Sequence, residues 1–71
     1  MTQYVAILAQ AGDGSWGAYV PDLPGCTSAG ATRDEAARHI REAVEFHIEG
    51  LRELGYPVPP PTSDVELVPV A

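Results

Sequence analysis

Residues 32–55 have the sequence TRDEAARHIREAVEFHIEGLRELG, and they predict the longest element of the fold. Thr32 with Glu35 three positions later is the capping-box pattern that begins a helix. Gly55 stands where a left-handed residue commonly ends one. Between these signals, apolar residues recur at steps of three and four, namely Ala36, Ile40, Ala43, Val44, His47, Ile48, Leu51 and Leu54. The sequence therefore predicts one amphipathic helix over residues 33–54.

Two β-rich runs precede this helix, at residues 3–11 and 16–20. Gly12-Asp13-Gly14-Ser15 separates them with residues that suit a tight hairpin turn. Two prolines within residues 21–25 end the second run, because proline cannot donate to a sheet ladder. Residues 26–29 have room for a short third strand. We expect a three-stranded meander before the helix.

The segment after the helix is rich in proline and then turns apolar. Pro57-Val58-Pro59-Pro60-Pro61 must be extended, and residues 65–70 read as a last strand that Pro69 places at a sheet edge. The predicted order is βββαβ, an α+β fold with one mixed sheet and one long helix on one face. The 71 residues form a single domain, 1–71, since the chain is too short for two.

Composition narrows the functional classes. Ten acidic residues stand against four arginines and no lysine, so the net charge is -6. This charge opposes binding to a phosphate backbone and favours a basic protein partner. The single Cys26 allows neither an internal disulfide nor a cysteine-based zinc site, and no apolar run is long enough to span a membrane. We expect a cytoplasmic protein without cofactor or metal.

Small size also predicts self-association. A chain of 71 residues buries a modest core and usually needs a disulfide, a metal or a partner subunit for stability. The predicted sheet has an edge strand and one face that the helix leaves uncovered. We therefore expect a homo-oligomer, either a dimer or a tetramer.

Two short motifs suggest ligands but have simpler interpretations. Residues 12–17, GDGSWG, match the G-x-G-x-x-G dinucleotide pattern, yet a strand follows them where the motif requires a helix. Residues 57–60 match P-x-x-P, a ligand of SH3-like grooves. A hairpin turn and a stiff connector from helix to sheet, respectively, are favoured for these segments.

The catalytic candidates do not assemble into a site. His39 and His47 are eight residues apart on the helix, too far to share one zinc ion. We expect His47 at the core edge, bonded to a backbone group, and His39 in solvent. No cation flanks Cys26, so a small buried thiol is favoured over a nucleophile. Asp13 and Asp22 lie in turns, which leaves no converging set of nuclease carboxylates.

Two aromatic residues on the second strand are candidates for binding. Alternation places Trp16 and Ala18 on one face of the strand, and Gly17 and Tyr19 on the other. One of these faces lacks the helix. Trp16 and Tyr19 are either core residues or, on the uncovered face, part of a subunit contact or a binding anchor.

Three motifs follow one another along the chain: Val20-Pro21-Asp22-Leu23-Pro24-Gly25-Cys26, Gly30-Ala31-Thr32-Arg33-Asp34-Glu35-Ala36 and Gly55-Tyr56-Pro57-Val58-Pro59-Pro60-Pro61. In this order they resemble the turn, the helix start and the close of the HicB-like antitoxin family. Tyr4 at the first strand and Asp13-Gly14 in the hairpin extend the resemblance over essentially the whole chain.

The resemblance implies a degraded RNase-H-like βββαβ fold that binds and does not catalyse. Its implied role is to neutralise a small basic HicA-type toxin, which cleaves mRNA, by direct complex formation. The acidic charge of the chain suits such a partner. Many family members carry a C-terminal DNA-binding domain, whereas this sequence ends at Ala71 after the last predicted strand. We therefore do not expect direct DNA binding.

The leading hypothesis is an antitoxin-like protein-binding module that contacts its partner through Trp16, Tyr19, Asp22 and Leu23. One alternative is an orphan regulatory or structural oligomer of the same fold. Another is a remnant RNase-H-like hydrolase or thiol enzyme that uses Asp22, Cys26 or a histidine.

Overall fold

A computed structural model describes residues 2–71 of the protein. Three short strands precede one long helix: β1 (Ile7–Gln10), β2 (Trp16–Tyr19), β3 (Thr27–Gly30) and α1 (Arg33–Glu53). The strands form one antiparallel sheet in the order β1-β2-β3. The predicted α+β class, the meander and the single long helix are confirmed.

The hairpin between β1 and β2 turns on the glycine-rich segment. The Ala11 N–H donates to the Ser15 carbonyl at 2.8 Å, and the Gly14 N–H donates to the Ala11 carbonyl at 3.0 Å. Gly14 has φ 90°, a conformation that favours glycine. Asp13 Oδ1 accepts from the Ser15 N–H and hydroxyl, and these bonds lower the pKa of the Asp13 carboxyl. The segment is a hairpin turn and not a phosphate-binding loop.

Side-chain caps fix the start of α1. The Thr32 hydroxyl accepts from the Glu35 N–H at 3.2 Å, as the capping-box pattern predicts. The Glu35 carboxylate accepts from the Ala31 N–H, one residue before the cap. Asp34 and Glu35 also place negative charge at the positive end of the helix dipole. The start of the helix is thus specified by residues that lie close together in the sequence, within positions 31–35.

Backbone bonds alone close the other end of α1. Gly55 has φ 73°, and its N–H donates to the Arg52 carbonyl at 3.1 Å. The Tyr56 N–H donates to the Leu51 carbonyl at 2.9 Å. This pair of bonds is the Schellman motif, in which a left-handed glycine satisfies the last carbonyls of a helix. The helix ends at Glu53, one residue before the predicted end.

The core lies between α1 and one face of the sheet. Its buried residues are Ala18, Val20, Leu23, Cys26, Ala36 and Ile40. Partly buried residues surround them, namely Tyr4, Ala6, Leu8, Ala43, Val44 and Ile48. The start of α1 packs closely on β3: a Cβ at Gly30 would lie 2.6 Å from the Ala36 nitrogen, and the Ser28 hydroxyl donates to the Ala36 carbonyl. The glycine permits this approach.

The structure corrects two of the strand predictions. The first run pairs only over Ile7–Gln10, so residues 3–6 are extended but unpaired. The fourth strand predicted at residues 65–70 is not formed, and the sheet within residues 2–71 is antiparallel and not mixed. A strand needs a neighbouring edge for its backbone groups. Residues 65–70 lie along no such edge of their own chain.

The proline-rich segment follows α1 and contacts the residues next to β1 and β2. The Tyr4 hydroxyl donates to the Pro59 carbonyl. Asp22 then binds Thr62 and Ser63 through their backbone and hydroxyl groups. Both contacts lie beyond the end of the sheet where Ile7 pairs with Tyr19, so the segment is held there before residue 64.

No helix among residues 2–71 combines the length and the apolarity that crossing a bilayer demands.

Candidate partner-binding surface

The sheet has one face under α1 and one face without cover. Ala18 is buried in the cluster that contains Ile40, so its cross-strand neighbours Leu8 and Ser28 also lie beneath the helix. The alternate positions form the opposite surface, which we call the open face: Ile7, Ala9, Gly17, Tyr19, Thr27 and Ala29. None of these residues is charged, although charged residues make up 20% of the chain. An uncharged sheet face of this kind is typical of a contact surface.

The structure separates the two aromatic candidates. Tyr19 lies on the middle strand of the open face and is 50% exposed. Trp16 pairs with Gln10 and Gly30 at the hairpin end, on the face that α1 covers, and it is partly buried. Tyr19 is thus the aromatic residue that is exposed on the open face.

Leu23 does not lie on a contact surface. Its side chain is 0% exposed and sits in the core with Cys26 and Val20. Backbone bonds of about normal length make the turn compact, since the Leu23 N–H donates to the Val20 carbonyl at 3.1 Å and the Cys26 N–H donates to the Leu23 carbonyl at 3.0 Å. Leu23 therefore anchors the turn from inside, and its side chain offers no exposed surface. Its contact with a partner stays a prediction.

Asp22 has a structural role that the sequence did not suggest. Oδ2 accepts from the N–H groups of Thr62 and Ser63 at 3.0 and 2.9 Å. Oδ1 accepts from the two hydroxyls at 3.0 and 2.9 Å. The backbone bond from Ser63 is the largest of the effects that lower the pKa of the Asp22 carboxyl. The carboxylate thus fastens the C-terminal segment to the turn at residues 20–26.

The residues of the hydrolase alternative do not form a catalytic arrangement. Cys26 is buried, and desolvation raises the pKa of its thiol, which disfavours the thiolate that a nucleophile requires. His39, which we expected in solvent, has Nδ1 at 2.8 Å from the Ala29 carbonyl. His47 is partly buried, in agreement with a place at the core edge, but it makes no hydrogen bond to a backbone group among the described residues. Within residues 2–71, no three potential metal ligands lie together.

The outward surface of α1 carries a second candidate feature. Glu42, Glu45, Glu49 and Glu53 fall within about 80° of one another around the helix axis, on the side away from the core, and we call them the acidic stripe. Val44 and Ile48 floor a shallow groove of about 490 Å³ whose rim includes Glu45, Glu49 and Glu53. Carboxylates four residues apart repel one another along a helix. Arginines on the same side of α1 offset part of this repulsion, and Arg52 also lines the groove. These arginines are Arg38, Arg41 and Arg52.

A larger groove was not anticipated from the sequence. It has a volume of about 720 Å³ and lies between residues 2–6 and the first half of α1. We call it the N-terminal groove; its apolar lining includes Tyr4, Ala6, Val20, Ile40 and Val44. Ser63 and Asp64 form part of its rim. The only sequence signal for it is the apolar run at the N-terminus, which is longer than the strand it forms.

Comparison with known proteins identifies the class to which this fold belongs. A family model described as the HicB-like antitoxin of bacterial toxin–antitoxin systems matches residues 4–69. The chain belongs to this HicB-like family, and the resemblance read from its motifs is confirmed.

Curated relatives of this chain carry names that state no function. An uncharacterised 14.9 kDa protein of Haemophilus phage HP1 is 59% identical over 34 residues, which cover 48% of this chain and 26% of the phage protein. The match thus spans about a quarter of that relative's length. A UPF0150 protein of Synechocystis is 43% identical over 56 residues, covering 79% of this chain and 71% of the relative.

Two solved structures share the fold. The N-terminal domain of the Burkholderia pseudomallei antitoxin HicB is 35% identical with a TM-score of 0.65, covering 93% of this chain and 69% of that chain. A chain from the HicA3 and HicB3 toxin–antitoxin complex is 34% identical with a TM-score of 0.69, covering 84% of this chain and 70% of that chain. At these identities, the likeness extends beyond the fold to the sequence that builds it.

Proposed function

We propose that this protein is an antitoxin that neutralises a small, basic, mRNA-cleaving toxin of the HicA type by direct complex formation in the cytoplasm. Residues 1–71 act as one HicB-like domain. The observation that carries the proposal is that 84% of the chain superposes on a chain from a toxin–antitoxin complex, within a family of antitoxins. The net charge of -6 suits a basic partner.

Two surfaces of the protein contribute to toxin binding. The open face docks on the toxin with Tyr19 as its anchor, because a half-exposed tyrosine on a rigid sheet offers apolar area and a hydrogen-bonding hydroxyl at low entropic cost. The acidic stripe on α1 attracts the toxin and speeds encounter. Trp16 supports the hairpin end of the sheet, while Asp22 and Leu23 hold the turn that adjoins Tyr19.

Binding, and not catalysis, is the function that the side chains support. Asp22 already accepts four hydrogen bonds from Thr62 and Ser63, and these stabilise it as a structural anion. The raised pKa of the Cys26 thiol leaves it protonated near neutral pH. The net charge of -6 opposes binding to a phosphate backbone, so we propose no direct DNA binding.

The decisive experiment tests complex formation with a small basic protein of the HicA type, and a reading frame next to this gene is the first place to look for one. We expect co-expression to restore growth that the toxin arrests, and the purified proteins to form a complex in titration calorimetry. Raising the salt concentration should slow association, because the acidic stripe acts through long-range charge. Absence of a complex at micromolar concentration, together with unrelieved toxicity, would refute the antitoxin proposal and leave the orphan oligomer.

A matched pair of tyrosine variants tests the proposed anchor. Tyr19→Ala should weaken toxin binding at least about fivefold, since truncating a central aromatic anchor commonly costs more than about 1 kcal/mol. Tyr56→Ala is the control, because Tyr56 is 60% exposed at the end of α1, away from the open face. Equal affinities of the two variants would show that the open face is not the docking surface.

A further inference from the structure

The second half of α1 carries an aromatic side chain that the described residues leave exposed. Phe46 is 80% exposed, more than either Tyr19 or Tyr56. Leu54, two turns later, is 68% exposed, and Gly50 lies between them, one turn from each. We call Phe46, Gly50 and Leu54 the Phe46 patch. Two large apolar side chains next to each other on a helix surface are typical of a contact site.

Gly50 leaves room in the middle of this patch. A Cβ built on Gly50 would meet no atom within 4 Å outside its own helix turns. Because glycine presents backbone and no side chain, a partner can approach the helix closely between Phe46 and Leu54. The patch is therefore a shallow saddle with an apolar side chain on either side.

Glutamates border the patch. On a helix surface, the neighbours of a residue lie three and four positions away. At these steps from Phe46 and Gly50 the sequence has no arginine or lysine, but it has three glutamates: Glu42, Glu49 and Glu53. The arginines that flank the acidic stripe lie farther around the axis, and the nearest, Arg38, is about 80° from Phe46. The apolar patch thus has a negative border of its own.

The patch lies on the side of α1 that faces β3. His39, seven residues before Phe46 and about 20° from it around the axis, has Nδ1 at 2.8 Å from the Ala29 carbonyl of β3. Ala29 also belongs to the open face, and β3 is an outer strand of the sheet. The Phe46 patch and the open face therefore flank the same edge of the molecule. One partner that reaches around β3 can contact both.

The charge around the patch selects its occupant. In a symmetric contact between two copies of this chain, the same glutamates would stand on both sides, and like charges repel. A basic partner gains from every one of them, provided that it also offers apolar side chains to Phe46 and Leu54.

We propose that the Phe46 patch is a second contact site for the toxin. An amphipathic, basic segment of the toxin packs across Gly50, between Phe46 and Leu54, and its lysines or arginines pair with the glutamates at the border. This inference rests on the proposed function. It assigns to this part of α1 a direct contact in addition to long-range attraction.

Substitution of the aromatic residue tests the apolar contact. Phe46→Ala should weaken toxin binding in titration calorimetry at least about fivefold, as for other aromatic anchors. Phe46→Leu is the matched control, because it retains an apolar side chain and should lose less affinity than Phe46→Ala. Phe46 is 80% exposed, so both variants should keep the helical circular dichroism of the wild type.

Two single-charge variants test the border of the patch. Glu49→Gln and Glu45→Gln each remove one negative charge, but Glu45 lies about 100° around the helix from Phe46. Both should slow association with the toxin to a similar extent, since steering depends on total charge. Only Glu49→Gln should also speed dissociation, by about twofold to fivefold, because it removes a direct ion pair. Stopped-flow kinetics separate the two rates.

The possible results distinguish this inference from the proposed function. If the wild type binds the toxin and Phe46→Ala binds equally well, or if the two glutamate variants dissociate at the same rate, the patch is not a contact site and the proposed function stands. If the wild type binds no toxin, both are refuted. Sedimentation of the toxin-free protein adds a third check: a lower mass for Phe46→Ala would show that a second copy covers the patch, which would overturn the inference.

Discussion

The two halves of α1 sit in opposite environments. The first half is pressed against the sheet, with Ala36 and Ile40 buried and the Gly30 backbone in direct contact with its start. The second half projects past the short strands: none of its residues is fully buried, and no atom outside its own helix turns lies within 4 Å of a Cβ built at Gly50. A three-stranded sheet is thus too small to cover a helix of 21 residues. The projecting half is therefore available to partners.

The same contrast divides the C-terminal segment. Up to Ser63, the chain is held by Tyr4 and Asp22. Residues 65–70 are exposed and belong to no strand. Packed and projecting segments thus alternate along the sequence. A glycine-to-alanine substitution should lower the free energy of unfolding in a packed segment and raise it in a projecting helical one.

The largest effect is expected at the packed start of the helix. Gly30→Ala places a Cβ 2.6 Å from the Ala36 backbone nitrogen and 2.9 Å from the Glu35 Cβ, so the helix start must shift. Overpacking of this kind costs about 1–3 kcal/mol, or roughly 4–8 °C in melting temperature for each kcal/mol in a domain of this size. Thermal and urea unfolding measure it. An unchanged free energy of unfolding would show that the helix start shifts away from Gly30 at little cost.

Gly50→Ala should have a smaller effect of opposite sign. From the sequence, this glycine indicates either a close approach to another backbone or a tolerated defect, and within the chain the structure favours the defect. Alanine in an open helix position should then raise the free energy of unfolding by about 0.5–1 kcal/mol. Denaturant unfolding at low protein concentration measures this gain. A loss of stability that accompanies loss of the oligomer would show instead that a second copy approaches Gly50.

The smallest and most local effect concerns the Asp22 tether. Hydrogen bonds lower the pKa of this carboxyl from 3.8, so the stabilisation it provides is complete above that value and is lost as the pH falls through the lower, folded-state pKa. Exchange protection of the Thr62 and Ser63 amides should disappear over that acidic range, while α1 remains intact.

Asp22→Asn is the control for the tether. Asparagine can accept hydrogen bonds but does not titrate, so the variant should show weaker protection of the same two amides with no dependence on acid. Protection that stays unchanged in both proteins from neutral to acidic pH would mean that the Pro59 contact, and not Asp22, holds the segment.

Much of the fold followed from local signals. The capping residues of α1, the closing Gly55 and the glycine-rich hairpin are each recognised by a few neighbouring residues, and the structure places them within one residue of the prediction. The family was also readable, since its three motifs are contiguous in sequence. The candidate site was less predictable. Alternation paired Trp16 with Ala18 and Tyr19 with Gly17, but only the packing of α1 decided which pair stays open.

The sequence by itself determined the helix with its two ends, the meander, the net charge and the family. These depend on backbone preferences, hydrophobic periodicity and composition, which act over short distances along the chain. The tertiary structure alone places Leu23 in the core and ties Asp22 to Thr62 and Ser63, some forty residues away. It also leaves residues 65–70 outside the sheet formed by the described residues. Such contacts depend on which distant segments come together when α1 packs on the sheet. Local sequence patterns do not specify these long-range contacts.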